Sequence, residues 1–369
     1  MSVPGSVRGA VAAARASLLV LAGLALLRGP AAADTTTFNG VGAPIVRVAV
    51  REGDVTIRTW HRRTVQVDGD PALSIERHVA DQSGEAIAVP IQPMRQGGDG
   101  PNALSLPPET FVSGSIPAGP RDVVVVHDAS DRDPGPLPPT PTVVTIPDDS
   151  VYVTVTAWHG NLDVHGYRAG TLVASSGGGR VTLVSVGGVV FAQSRRGPIT
   201  IRDSSFDLVR ARSLFGDITF ERCHVHQITA TTGAGSIAYD GGSFEPGLAS
   251  FESERGDIAI GADGPVQFGA HAATDGHVFT DLGRDGGEAS TTFNAAQPAR
   301  DGAPVVTATT RSGNVYLYHG PLPKHRLKGP PPPFRRPGAA LPHPFGRPPR
   351  EFGPRRQAVF APRFAPRHR

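Results

Sequence analysis

Between about residues 172 and 260, apolar and polar positions alternate in short runs that recur every 18 to 21 residues. The unit reads apolar-x-Ala-x-Ser/Thr-x-x-Gly-x-Ile/Val-x-apolar. One copy is Leu172, Ala174, Ser176, Gly179, Val181 and Leu183, and the next is Val190, Ala192, Ser194, Gly197, Ile199 and Ile201. Two more follow at Val209, Ala211, Ser213, Gly216, Ile218, Phe220 and at Ile228, Ala230, Thr232, Gly235, Ile237, Tyr239. A fifth ends at Ser253, Gly256, Ile258 and Ile260, and after a gap the pattern returns at Val306, Ala308, Thr310, Gly313, Val315 and Leu317. Looser copies precede them: Val46, Val48, Val50, Gly53, Val55, Ile57, then Val153, Val155, Gly160, Leu162, Val164. Gly276 and Val278 mark a weak one whose flanks depart from the pattern.

Alternation with period two predicts half-buried strands rather than helices. A Ser or Thr hydroxyl can bond a backbone amide two residues on, and Gly takes a positive φ at little steric cost. Ser/Thr-x-x-Gly therefore reads as a corner between two short strands. Such a unit cannot bury its apolar row alone, so copies must stack into a continuous core. The fold class is all-β: a single-chain β-solenoid, β-helix-like, with coils of about 19 residues. A two-sheet sandwich of hairpins is the competing reading. The recurrent Ala suggests a narrow interior at that position. The structural corner glycines are Gly53, Gly160, Gly179, Gly197, Gly216, Gly235, Gly256 and Gly313.

Composition changes the picture at the ends. Residues 1–33 read as a secretory signal peptide, with Arg8 and Arg15, an apolar run from Ala16 to Leu27, and Ala31-Ala32-Ala33 before Asp34. The run is too short to span a bilayer comfortably, although an uncleaved anchor is the alternative. After cleavage no transmembrane segment is expected. Residues 34–94 read as N-terminal β coils or a cap, 95–148 as a Pro/Gly-rich insert or linker, and 149–320 as the solenoid repeats. Within the insert, Arg121 to Val126 reads as a strand. The tail, 321–369, is Pro-rich and carries 12 Lys or Arg against the single acid Glu351. It is expected to be disordered. The whole chain is formally +3, but the tail contributes +11 and the leader +3, so residues 34–320 stand near −11. A basic tail on an acidic body suits attachment to an anionic envelope polymer or to lipid head groups, with Arg335, Arg336, Arg347, Arg350, Arg355 and Arg356 as the attachment residues. A merely solubilising tail is the plainer alternative.

Candidate chemistry is sparse. Cys223 is the one cysteine, which excludes an internal disulfide and a multi-cysteine metal site. Asp54, Asn161, Asp217, Asp257 and Asn314 each follow a corner Gly, and recurrence once per coil points to a turn role rather than catalysis. His224-x-His226 places two imidazoles on one strand face without an evident third ligand, and Asp163 and His165 share a face in the same way. Cys223 and Val225 would then face the core. Thr182, Thr200 and Thr219 form an outward row that ends at Ala238. Trp60 and Trp158 lie near corners, and buried end-closing roles are expected for them over sugar stacking. No catalytic residue, cofactor or metal site is expected, and no nucleic-acid partner.

The chain resembles a family of adhesin-like β-solenoid domains of bacterial envelopes, most of unknown function. The resemblance rests on Gly53 to Trp60 with Val65-Gln66-Val67, on Ile146-Pro147-Asp148-Asp149 leading to Gly160 to Val164, and on the serial Ser-x-x-Gly-x-Ile units. It implies a secreted, non-enzymatic scaffold or binding protein, in the periplasm, at the cell surface or outside the cell. It brings no catalytic residues. A carbohydrate-active solenoid enzyme and a self-assembling structural solenoid are the alternatives, since solenoid ends expose strand edges unless capped.

Overall fold

The computed structural model describes residues 34–323 with breaks, the longest at 97–103, 129–139, 281–291 and 295–303, and over 80–120 it describes backbone alone. The expected leader and the attachment residues of the tail lie outside the described residues. Among the described residues no helix is long and apolar enough to cross a membrane.

The chain is a β-solenoid whose coils stack in parallel register. Leu172 pairs with Val190, Val190 with Val209, Val209 with Ile228 and Ile228 with Ala249 along a first wall. Val181, Ile199, Ile218, Ile237 and Ile258 stack along a second. A short third wall, unforeseen from the repeat, closes the central coils. There Cys223 pairs with Gly242, and the amides of Gly187, Ser205 and His224 donate to the carbonyls of Tyr167, Val186 and Ser204. The inward residues of all three walls form one buried cluster. Alanine holds the middle of the first wall at Ala174, Ala192, Ala211 and Ala230, but Phe251 takes that register position in the next coil. The expected narrow interior is thus local. Tyr239, Phe244 and Phe251 fill a wider section, with the Tyr239 and Phe244 rings stacked at 4.4 Å.

The corner chemistry differs from the expectation in two ways. The hydroxyl reaches three residues on, not two: the amides of Gly179, Gly197 and Gly216 donate to Ser176, Ser194 and Ser213 Oγ at 2.9, 2.9 and 2.8 Å. Each hydroxyl then donates to the corner carbonyl of the preceding coil, as Ser176 does to Gly160 and Thr310 to Gly256. One side chain thereby closes its own corner and ties it to the coil before. Nor is positive φ the general reason for glycine, since only Gly53, Gly256 and Gly313 in the column have it. The reason is close approach. A Cβ on Gly160, Gly179, Gly197, Gly216 or Gly235 would lie closer than 3.0 Å to the carbonyl oxygen of the corner glycine one coil earlier.

Two long excursions interrupt the stack, and each returns to build an end. The coil at 45–57 is first in sequence but second in space. Val46 pairs with Val153 on one side and with Val124 on the other. The last coil is likewise second from the opposite end, with Val306 between Ala249 and Phe268. The weak copy is therefore a true terminal coil, Val278 stacking on Val315. Antiparallel strands cover both ends: Leu73–Gln82 on Gly119–Asp128, Thr64–Gly69 on Thr142–Pro147, and Thr292–Asn294 on Gln267–Ala272.

The segment read as an insert or linker is built into the fold at both ends. Leu73 to Gln82 runs opposite Asp128 to Gly119, Ala86 to Ile91 opposite Ser115 to Glu109, and Met94 to Gln96 opposite Leu106 to Leu104. This is one two-stranded arm, and its distal strand Leu104–Leu106 lies against the solenoid strand Ile218–Ala234. On the outer side of the first wall Phe191 and Arg212 are buried, Phe191 packing with Val173, Val189 and Leu208. The tail boundary also moves. Leu322 is buried, and its amide donates to Asp240 at 2.7 Å, so the body extends to 323.

Candidate functional site

The residues singled out by the repeat serve the scaffold. Asp54 caps the amide of Asn161, Asn161 that of Arg180, Asp217 that of Ser236 and Asp257 that of Asn314, at 2.7 to 3.0 Å. Arg180 cannot continue this ladder, and the next coil carries Pro198, which has no amide proton to satisfy. Cys223 and Val225 face the core as expected. His224 and His226 face solvent, His224 bonded to Ser243 Oγ at 2.8 Å and His226 3.8 Å from Glu245. Among the described residues no cluster of three or more His, Cys, Asp or Glu could hold a metal ion. The threonine row is in register at Thr182, Thr200 and Thr219.

The tryptophans do not close the ends. Trp158 is 56% exposed, because it alternates with the buried Ala157 and so points outward. Trp60 is half-buried, its indole N–H bonded to the Thr64 carbonyl at 2.7 Å and Arg62 stacked over its ring. Antiparallel strands take the capping role instead.

Burial raises the Cys223 thiol to about 12, its Sγ lying against the carbonyls of Ile201 and Glu221. The thiolate is the reactive form. A thiol reagent at pH 8 is therefore expected to leave the native chain unlabelled and to label it fully in denaturant. Rapid labelling of the native chain would contradict this packing.

Among the described residues the third wall carries an open groove of about 560 Å³. Arg168, Gly187, Gly188, Asp203, Ser204, Ser205, Arg222 and His224 line it together with Val186. Gly187 leaves a notch there, between Arg168 of the coil before and Ser205 of the coil after, with His224 one coil further on. A Cβ at Gly188, whose φ is +74°, would meet the Gly170 carbonyl at 2.5 Å. One edge of the groove is a column of left-handed residues, Ser185, Asp203 and Arg222 at φ of 55°, 52° and 52°, continued by Gly166 and Gly241 in the flanking coils. A non-glycine residue held there stores roughly 1 to 3 kcal/mol, and such strain gathers at functional surfaces. Arg168 and Arg222 stand three coils apart, about 14 Å at the usual strand spacing.

Arg222 grips Asp203 with two bonds, Nε to Oδ1 at 2.6 Å and Nη2 to Oδ2 at 2.9 Å. That hydrogen bonding holds the Asp203 carboxyl below its ordinary value and raises the guanidinium in turn. The pair is therefore complete above the ordinary carboxylate range near ~3.9 and breaks only as pH falls through the lower folded value. Arg168 makes a long 3.5 Å contact from Nε to the Ser185 carbonyl. Ser204 is buried and bonded to its own coil and the previous one. The groove thus offers a guanidinium at one end, a locked ion pair at the other and a glycine floor between.

Sequence reasoning passed over Arg168, Asp203 and Arg222. The available signal was one position per coil after the second strand, at Gly166, Ser185, Asp203, Arg222 and Gly241, where three consecutive polar residues stand between two glycines.

No family model matches the chain, and no curated protein matches it. Solved structures similar to it include a candidate cell adhesion protein from Clostridium sporogenes, 8% identical over 78% of this chain and 99% of that one, with a TM-score of 0.24. A candidate adhesin from Bacteroides fragilis is 9% identical over 77% of this chain and 96% of that one, with a TM-score of 0.40. Neither protein assigns a role to a residue here.

Proposed function

We propose that the chain is an exported, non-enzymatic binding protein of the bacterial cell envelope. Its third-wall groove takes a carboxylated saccharide, and its basic tail adds attachment to anionic envelope material. The observation that carries the reading is the groove itself. A glycine floor admits a flat sugar ring close to the backbone, the exposed Arg168 guanidinium suits a carboxylate, and Asp203, Ser205 and His224 supply partners for hydroxyls. Gly187, Ser205 and His224 stand in register on strands, with Arg168 and Asp203 at the adjoining corners, so little backbone ordering is needed on binding.

A carbohydrate-cleaving enzyme is the weaker reading. Glycoside hydrolysis asks for a carboxyl that holds a proton near neutral pH. Arg222 holds Asp203 in the opposite sense.

Two arms test the proposal. Removing residues 324–369 is expected to abolish salt-sensitive retention on anionic envelope material. Arg168→Ala in the otherwise intact chain is expected to weaken binding to a polyuronate about tenfold to a hundredfold, the range of one charge-assisted hydrogen bond, without changing binding to its neutral, esterified form. Unchanged polyuronate binding would remove the groove assignment. Equal retention without the tail would remove the attachment role, and turnover of the polymer would favour the enzyme.

A further inference from the structure

We propose that the protein forms a closed two-fold dimer by pairing the strand Leu73–Gln82 with the same strand of a second copy. Among the described residues this ten-residue strand has a neighbour on one side only, Gly119–Asp128. A free edge of that length is a template for another strand. The opposite end of the solenoid differs. There the outermost strands of the two long walls, Thr292–Asn294 and Val278–Thr280, are three residues each. Short edges are the usual way to forbid pairing. With one end competent and the other blunted, assembly stops at two copies instead of growing a fibre.

The strand's own residues favour an antiparallel self-pairing centred on Arg77, the register that keeps each side of the sheet continuous. It sets Ile75 opposite Val79 of the second copy and Glu76 opposite His78 of the second copy, each contact occurring twice. Val79 is 66% exposed, an apolar residue on the competent edge that this pairing would cover. Ile75 is partly buried against the core, so its free flank lies ready to receive Val79. Glu76 is 64% exposed and, among the described residues, approaches His127 at a long 3.8 Å, so its carboxylate can accept from His78 of the second copy. The central Arg77 would meet its own counterpart. Its charge is already engaged, with Nε 2.8 Å from Asp122 Oδ1 and Nη1 3.0 Å from the Asn39 carbonyl.

Sedimentation of the chain from Asp34 to Arg369 across a concentration series tests this. The wild type is expected to move from monomer to dimer and no further. Val79→Lys and His78→Glu, both at exposed positions, are each expected to raise the dimer dissociation constant at least tenfold with an unchanged melting temperature. Glu76→Lys combined with His78→Glu swaps the facing charges and is expected to restore dimerisation. A wild type that stays monomeric, a dimer indifferent to Val79→Lys, species larger than two, or a double variant no better than His78→Glu would each overturn the proposal.

Discussion

Replacing Gly197 by alanine is expected to destabilise the solenoid by roughly 4 kcal/mol or more, enough to unfold many domains outright. A single methyl group has this effect because of what lies beneath it. The new Cβ would overlap the Gly179 carbonyl oxygen and stand 2.9 Å from the Arg180 nitrogen, both backbone atoms that cannot step aside without moving a whole coil. Coils spaced by backbone ladders do not yield separately, so the shift would also strain the Ser194 and Ser213 bonds that join this corner to its neighbours. Gly178→Ala is the matched control. Its Cβ would meet only the Trp158 carbonyl, at an ordinary 3.8 Å, so stability should change little. Denaturant unfolding of the two variants separates steric closeness from glycine content. Equal midpoints would refute the account of the glycine column.

Phe251→Ala is the second large effect expected, a loss of about 3 to 5 kcal/mol. The ring is fully buried and meets Tyr239 at 6.1 Å and Phe244 at 6.2 Å in edge contacts. It occupies the position that alanine holds in four preceding coils, so alanine there is sterically harmless in its own strand. The penalty comes from the lost burial of the ring and from the cavity left beside the Tyr239–Phe244 stack. Phe251→Leu, which fills part of that volume, should lose distinctly less. If Phe251→Ala proved as stable as the wild type, the coil could contract to the alanine-lined form, and the wider section would be optional rather than required.

Much of this was legible in the chain because the repeat is local. Ala192, Ser194, Gly197 and Ile199 lie within eight residues of one another, and each constrains a neighbour in sequence as well as one in space. The corner hydroxyls were legible in kind but not in reach, since the three-residue span depends on how the corner packs on the coil below. Trp158 was misread because its context suggested an end. Parity with Ala157 was enough to place it outside.

The arm and the groove were less visible, for a common reason. Side chains at Arg168, Asp203, Ser205 and Arg222 come together only after four coils have stacked, and no window of sequence contains their relation. The interlocked ends are more distant still. Val46 finds Val153 across an excursion of about a hundred residues. Loop-closure entropy grows only logarithmically with length, so so long a detour adds little to the penalty of a short one.

By itself the sequence determined the coil: two strands, a hydroxyl-glycine corner, and an apolar row that no single unit can hide from water. That much follows from alternation and period, which are properties of neighbouring residues. Tertiary structure alone decided which coil lies outermost, how many walls enclose the core, and where the lateral surface turns concave. Those outcomes depend on which distant segments reach a free strand edge and on which side chains are missing beside larger ones, and such comparisons exist only once the stack has formed.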